Sequence, residues 1–236
     1  MRPHVLLLGI LLAGAGPART QAPKDSSFSI LLNNSISYTH ASDTHINRWL
    51  TKYGYPAEPR VPANLNFELA AIPASSQFLY SLRVSTVIDT RDLSSINLLG
   101  GVYRAIVKKR SLLLFAGLGA GYHEDMITLN GNLPPDYKAL ASQYNQQLSL
   151  HRSGLFAEPA LRGFWYPLHY RNLQLGLYGS LGYDMDFNSH WKLGYYENRG
   201  GKYSHFKKIQ NPSDQQKVSE YGISYNAGLS LRLGFF

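Results

Sequence analysis

The chain has 236 residues, 44% of them hydrophobic and 13% aromatic, which is enough for one domain with a sizeable buried interior. Its formal charge of +8 is spread along the sequence, and the one compact basic run, Lys108-Lys109-Arg110, falls in an expected tight turn. The clustered basic face that nucleic-acid binding requires is therefore not found, and the absence of Cys excludes both a disulfide framework and a lipid anchor on an N-terminal Cys.

Residues 1–22 read as a secretory signal peptide. Arg2 and His4 open it, Val5 to Gly16 is apolar throughout, and Thr20-Gln21-Ala22 supplies a small-x-small cleavage site. Twelve apolar residues are too few for a spanning helix, which needs about 20. Cleavage removes Arg2 and Arg19 and leaves 21 basic against 15 acidic groups, a charge of +6. Residues 23–236 form one domain.

That domain is a succession of segments that alternate apolar and polar residues, the period of a strand. In the first, Phe28 to His40, Phe28, Ile30, Leu32, Ile36 and Tyr38 share a face interrupted once by Asn34. Ile46, Trp49, Leu50 and Tyr53 then recur at helical spacing, with Ser42 or Asp43 as a cap, so the first loop is expected to carry a short amphipathic helix. The second strand, Asn64 to Ile72, points Leu65, Phe67, Leu69 and Ala71 outward and Asn64, Asn66, Glu68 and Ala70 inward. After the turn at Pro73, Phe78 to Ile88 is the third, with Arg83 inward. The fourth, Ser95 to Val107, is apolar on both faces and its facing stays open.

The fifth strand, Leu112 to Ile127, carries Gly117, Gly119 and Gly121 on one face, as suits the inner wall of a narrow barrel. The sixth, Ser149 to Tyr166, turns Arg152, Glu158 and Arg162 inward, with a bulge expected at Pro159 and a turn over Pro167 to Asn172. Leu173 to Phe187 is the seventh. Ser189 to Lys217 reads as a long polar loop. The last strand alternates from Tyr221 to Phe235, fifteen residues, far beyond the roughly 5–6 of an ordinary strand and long enough to cross a membrane at a tilt.

Eight such strands with an even count allow the first to pair with the last. The second, fourth and sixth connections are short and the first, fifth and seventh long, with the third a short exception. The expected architecture is all-β: an eight-stranded antiparallel transmembrane up-and-down barrel with both termini in the periplasm. The abundance of Tyr, seventeen, fits the aromatic belts at a membrane surface.

The inward charges Glu68, Arg83, Glu158, Arg162, Asp184, Asp186 and Arg232 are the main candidate constellation. A barrel of this size has an interior that side chains fill, so each charge has to pair. Glu158 and Arg162 lie four apart on one strand, about 13 Å along it. That separation predicts partners on other strands: Arg83 or Arg232 for Glu158, and Glu68, Asp184 or Asp186 for Arg162. The reading is a structural plug, with a narrow porin-like channel as the alternative. A third reading is a lipid-modifying enzyme. Some eight-stranded barrels are lipid A deacylases that use a His, a Ser and a carboxylate, and here His40, Ser42 and either Glu124 or Asp125 would have to serve. His40, His45, His123, His151, His190 and His205 form no ligand pair at metal-binding spacing. No catalytic residue, metal or cofactor is assigned, and the protein is not expected to be an enzyme.

The mature chain resembles the eight-stranded outer-membrane β-barrel proteins of Bacteroidota-type bacteria. The resemblance rests on the signal peptide, the paired-strand rhythm, the Thr51-Lys52-Tyr53-Gly54-Tyr55-Pro56 segment and the terminus Leu229-Ser230-Leu231-Arg232-Leu233-Gly234-Phe235-Phe236. It implies an outer-membrane location, with Leu229, Leu231, Leu233, Phe235 and Phe236 forming the signal read by the barrel-assembly machinery. Contact with outer-membrane lipid including lipopolysaccharide follows, as does a protein partner at the loops. The role it implies is structural, docking or assembly.

Overall fold

The structure is a computed structural model and describes residues 28–41, 63–87, 93–129, 138–139, 142, 148–187, 191–199, 203–209 and 221–235. The signal peptide and the loop helix of Ile46, Trp49, Leu50 and Tyr53 lie outside the described residues, as do Ser42 and Phe236. Among the described residues no helix is long and apolar enough to cross a membrane. The elements are β1 (Phe28–Ala41), β2 (Ala63–Ile72), β3 (Phe78–Val87), β4 (Leu93–Lys108), β5 (Leu112–Thr128), β6 (Leu148–Tyr170), β7 (Leu173–Phe187), β8 (Lys192–Arg199), β9 (Tyr203–Lys208) and β10 (Tyr221–Phe235).

β1 to β6 each pair antiparallel with the next, and β10 joins β7 to β1, so eight strands close into an up-and-down barrel. Closure matches Phe28 with Phe235 and continues without a break to Ala41 opposite Gly222. Every barrel strand thus has two neighbours, and the closed barrel keeps no free edge. The turn after β2 is fixed by the Ser76 amide donating to the Pro73 carbonyl at 3.1 Å, and the Phe78 amide donates to Ser76 Oγ at 2.9 Å.

The alternation read from the sequence sets the two faces. On β2, Asn64, Asn66, Glu68, Ala70 and Ile72 are buried while Phe67 and Leu69 are exposed. β4 turns Leu99 and Tyr103 inward and Ile96, Leu98, Val102 and Ile106 outward. Both its faces are apolar because its inward side packs into the lumen, where Tyr103 joins the buried apolar cluster at its border with the central charges. On the outside, leucines dominate between two bands of aromatic residues. Tyr38 pairs directly with Tyr225 near the long-loop end, with Tyr122 and Phe187 also there, and Phe28, Phe78, Trp165 and Tyr170 lie near the short-turn end. From Phe28 to Tyr38 is ten residue steps. At about 3.3 Å per step and a tilt of about 40° they cover roughly 25 Å, the height of the apolar band of a transmembrane barrel.

Three expectations about the chain path are corrected. The bulge expected at Pro159 lies between Trp165 and Leu168, beside Pro167. Pro159 stays opposite Leu118 on β5, and only the β7 side of the ladder is open around it, where a missing N–H costs nothing. The turn expected from Pro167 is strand to Tyr170, which leaves a two-residue turn at Arg171 and Asn172 with Arg171 at φ 51°, in the left-handed region such hairpin turns demand. The expected polar loop from Ser189 contains a hairpin, β8 with β9, and β8 pairs with the outer end of β6 from Leu148 to His151. Gly200-Gly201 between runs rich in Tyr and Phe is the sequence signal for it.

Candidate functional site

The lumen has three levels, each made by inward residues of several strands. At the short-turn end Leu31, Ile72, Leu79, Leu113, Phe115, Phe164, Tyr166 and Tyr178 form one buried apolar cluster. Phe164 meets Tyr178 at 5.1 Å between ring centroids and Phe115 edge-on at 6.1 Å. This plug forms because inward positions there are large, while Gly176 leaves space against Tyr166 on the neighbouring strand. Tyr166 Oη and Ser230 Oγ lie 2.8 Å apart, and the Ser230 hydroxyl donates to Asn33 Oδ1. Below the plug, Arg232 donates to Ser29 Oγ at 3.1 Å and Gln174 Oε1 at 3.3 Å.

The central level holds the charges. Arg162, fully buried on β6, donates to Glu68 Oε2 on β2 at 2.7 Å and to Ser81 Oγ on β3 at 2.9 Å. Its guanidinium lies 3.9 Å from the centre of the Tyr103 ring, a cation–π contact in a dry setting. Glu68 also accepts from Asn33 Nδ2 at 3.1 Å. Arg83 on β3 crosses the lumen to pair with Glu158 on β6. Gly182 on β7 makes room for that carboxylate: a Cβ there would lie 2.9 Å from Glu158 Cγ. Beside the charges runs a neutral network in which Asn66 donates to Asn226 Oδ1 at 3.0 Å and Asn226 donates to Ser180 Oγ at 2.7 Å.

The outer level was not assembled by sequence reasoning. His123 on β5 lies with Nδ1 2.9 Å from Asp125 Oδ2 and Nε2 3.0 Å from Asp186 Oδ1. Arg152 on β6 donates through Nε to the same Asp125 oxygen at 3.0 Å, and its guanidinium sits 4.8 Å from the Trp191 ring. Above them Ile127, Leu129, Leu148, Leu150, Trp191, Leu193 and Ile209 are buried together with the hairpin, which gives this end its own apolar cover. His123 and Asp125 share the parity of Gly117, Gly119 and Gly121, and that parity was the available signal for their inward direction.

The seven candidate charges thus fall into three groups. Glu68, Arg83, Glu158 and Arg162 meet at the centre, with Asp184 beside Glu158. Asp186 serves His123 and not Arg162. Arg232 stays at the short-turn end and does not reach Glu158. The expectation that Glu158 and Arg162 are too distant to interact is also corrected. Their long side chains lean toward each other along the strand, and Arg162 Nη2 lies 3.6 Å from Glu158 Oε1. Of the terminal signal residues, Leu229, Leu231 and Leu233 lie in β10, with Leu229 exposed on the outer face, and Phe235 pairs with Phe28. Among the described residues no group of three His, Asp or Glu is placed to hold a metal ion. On the outer face His151 Nε2 lies 2.9 Å from Glu124 Oε1, so Glu124 points away from the lumen.

No family model and no curated protein matches the chain. Solved structures similar to it include Neisserial surface protein A, at 6% identity and a TM-score of 0.47 over 89% of this chain and 100% of that one. Outer membrane protein AlkL in DMPC bilayers follows at 12% identity and 0.41, over 93% and 95%. The translocator domain of autotransporter NalP from Neisseria meningitidis gives 9% identity and 0.33, over 98% and 95%.

Proposed function

We propose that the protein is an integral outer-membrane barrel whose role is structural, docking or assembly, carried by its loops and hairpin, with a lumen that does not conduct. The observation that supports this is the filling of the lumen: an apolar plug at one end and ion pairs linking β2, β3 and β6 at the centre. The exposed belt of leucines between aromatic bands supports residence in a bilayer. The short turns and both chain termini then face the periplasm, and the β8–β9 hairpin faces outward among lipopolysaccharide headgroups. Membership of the Bacteroidota-type barrel family and delivery by the barrel-assembly machinery through the terminal residues belong to the same proposal. A catalytic role is not part of this reading; Asp125, one of the two carboxylates the lipid-modifying alternative would use, is taken up by His123 and Arg152.

Two measurements test this reading. Purified barrel in planar bilayers is expected to give no steady single-channel current, and cross-linking of intact membranes through the loops is expected to capture a specific partner. A reproducible current would replace the docking role with a pore, and altered lipid A acylation on expression would replace it with an enzyme.

A further inference from the structure

The centre of the lumen is one charge out of balance. Two guanidiniums, Arg83 and Arg162, meet three carboxyls, Glu68, Glu158 and Asp184. The ladder between β6 and β7 matches Ala157 with Met185 and Ala160 with Gly182, which sets Glu158 opposite Asp184 at the place where Pro159 leaves the ladder open. The two carboxyl groups thus lie side by side on the inner face, with Glu158 Oε1 and Asp184 Oδ1 both buried. Ionised carboxylates carry acceptors only, so two buried side by side satisfy each other only when one of them holds an O–H. Two carboxyls forced into one site characteristically keep a single proton between them.

We propose that Glu158 and Asp184 form a proton-binding carboxyl pair, closed off from solvent, whose single bound proton neutralises the centre of the barrel.

The surroundings leave this role to no other group. From β3, Arg83 binds the Glu158 carboxylate. On β6 itself Arg162 is committed to Glu68 of β2 and only approaches Glu158. From β5, His123 is held by Asp125 and Asp186. β4 and β7 contribute the phenols Tyr103 and Tyr178, and β10 the hydroxyl Ser224 over Gly182. Glu158 Oε1 and Asp184 Oδ1 are buried with no hydrogen-bond partner among the described residues. A metal ion is the other way to add positive charge, but among the described residues no third His, Asp or Glu converges to complete a metal site. The inference rests on the closed-lumen reading, since a water-filled pore would solvate both carboxylates. As pH rises until the proton leaves, a third negative charge appears without a partner, so the folded barrel loses stability on the alkaline side.

Infrared spectroscopy of the purified full-length barrel tests the pair. At neutral pH the native protein is expected to show the carbonyl stretch of a protonated carboxyl, shifted in heavy water, and Asp184→Asn and Glu158→Gln are each expected to lose it. In Asp184→Asn the amide donates to Glu158 in place of the O–H, so its urea midpoint is expected to lose the alkaline decline of the native protein. Absence of the band from native protein, or its persistence in both variants, overturns the proposal. A urea midpoint of native barrel that rises with added sodium or calcium chloride, and no longer does in Asp184→Asn, also overturns it in favour of a bound cation. Should either variant fail to assemble, carbon-13 resonances of labelled Asp and Glu in the native barrel decide, because a protonated carboxyl is distinguished from a carboxylate directly. Single-channel recording on the same preparation separates the two ideas: a steady current defeats the closed lumen, while the carboxyl band alone decides the pair.

Discussion

At the scale of single residues, the lumen is governed by the cost of burying charge. Glu158 pairs with Arg83 and lies beside Arg162 and Asp184, all of them removed from bulk water to a large degree. Glu158→Ala leaves Arg83 without its carboxylate and is expected to lower stability by about 3–5 kcal/mol, measured by urea unfolding followed by Trp fluorescence. Replacing both members, Arg83→Met with Glu158→Met, removes the desolvation cost along with the attraction and is expected to recover most of that loss. A double variant no more stable than Glu158→Ala would show that the pair is worth more than its burial costs. Packing sets a second limit. A Cβ at Gly121 would press on the Leu98 carbonyl and lie 2.7 Å from the Phe156 ring. Gly121→Val is therefore expected to cost about 1–3 kcal/mol or more, since inner-wall backbone leaves no direction in which to relax. The same unfolding assay checks it.

At the scale of elements, β10 and the β8–β9 hairpin make opposite predictions. β10 is bonded on both sides, to β1 from Phe28 onward and to β7. Without it the sheet keeps two open edges in lipid, where unpaired backbone groups cost several kcal/mol each. Deleting Phe235 and Phe236 is expected to reduce the amount of assembled barrel sharply, read as loss of the heat-modifiable band in mild detergent electrophoresis. The hairpin pairs with only four residues of β6 and no barrel strand depends on it. Replacing residues 192–208 with a short Gly/Ser linker is expected to leave the heat-modifiable band in place. Its unfolding midpoint should fall modestly, because Ile127, Leu148 and Leu150 lose their cover. Comparable losses of assembled barrel in both variants would count against this division.

At the scale of the whole molecule, the arrangement is a closed wall with an apolar outside and an interior sorted by level. Large exposed apolar residues lie on the outward faces of all eight barrel strands, far beyond the patch a soluble monomer tolerates. The protein is accordingly expected in the outer-membrane fraction, with a β-type circular dichroism spectrum and a mobility that changes on boiling. Recovery as a water-soluble periplasmic species would contradict the belt. The layering also makes the interior rigid, since the plug of Phe115, Phe164, Tyr166 and Tyr178 is continuous with the hydrogen bonds from Tyr166 through Ser230 and Asn33 to Glu68.

The sequence by itself determined the eight barrel strands and the faces of all but β4, while the β8–β9 hairpin read as loop. Alternation is a local property, and Leu173 to Phe187 or Tyr221 to Phe235 can be read without knowing any neighbour. It also identified which charges point inward, because parity follows from alternation. What it left open was β4, where apolar residues occupy both faces because one faces lipid and the other an apolar plug. The tertiary structure alone decided which charges meet. Partners on different strands are set by the stagger of the closed sheet and by the direction in which long side chains lean, and neither is written in any single segment. So Arg162 found Glu68 across 94 positions of sequence, Asp186 went to His123, and Arg232 was held at the short-turn end by Ser29 and Gln174.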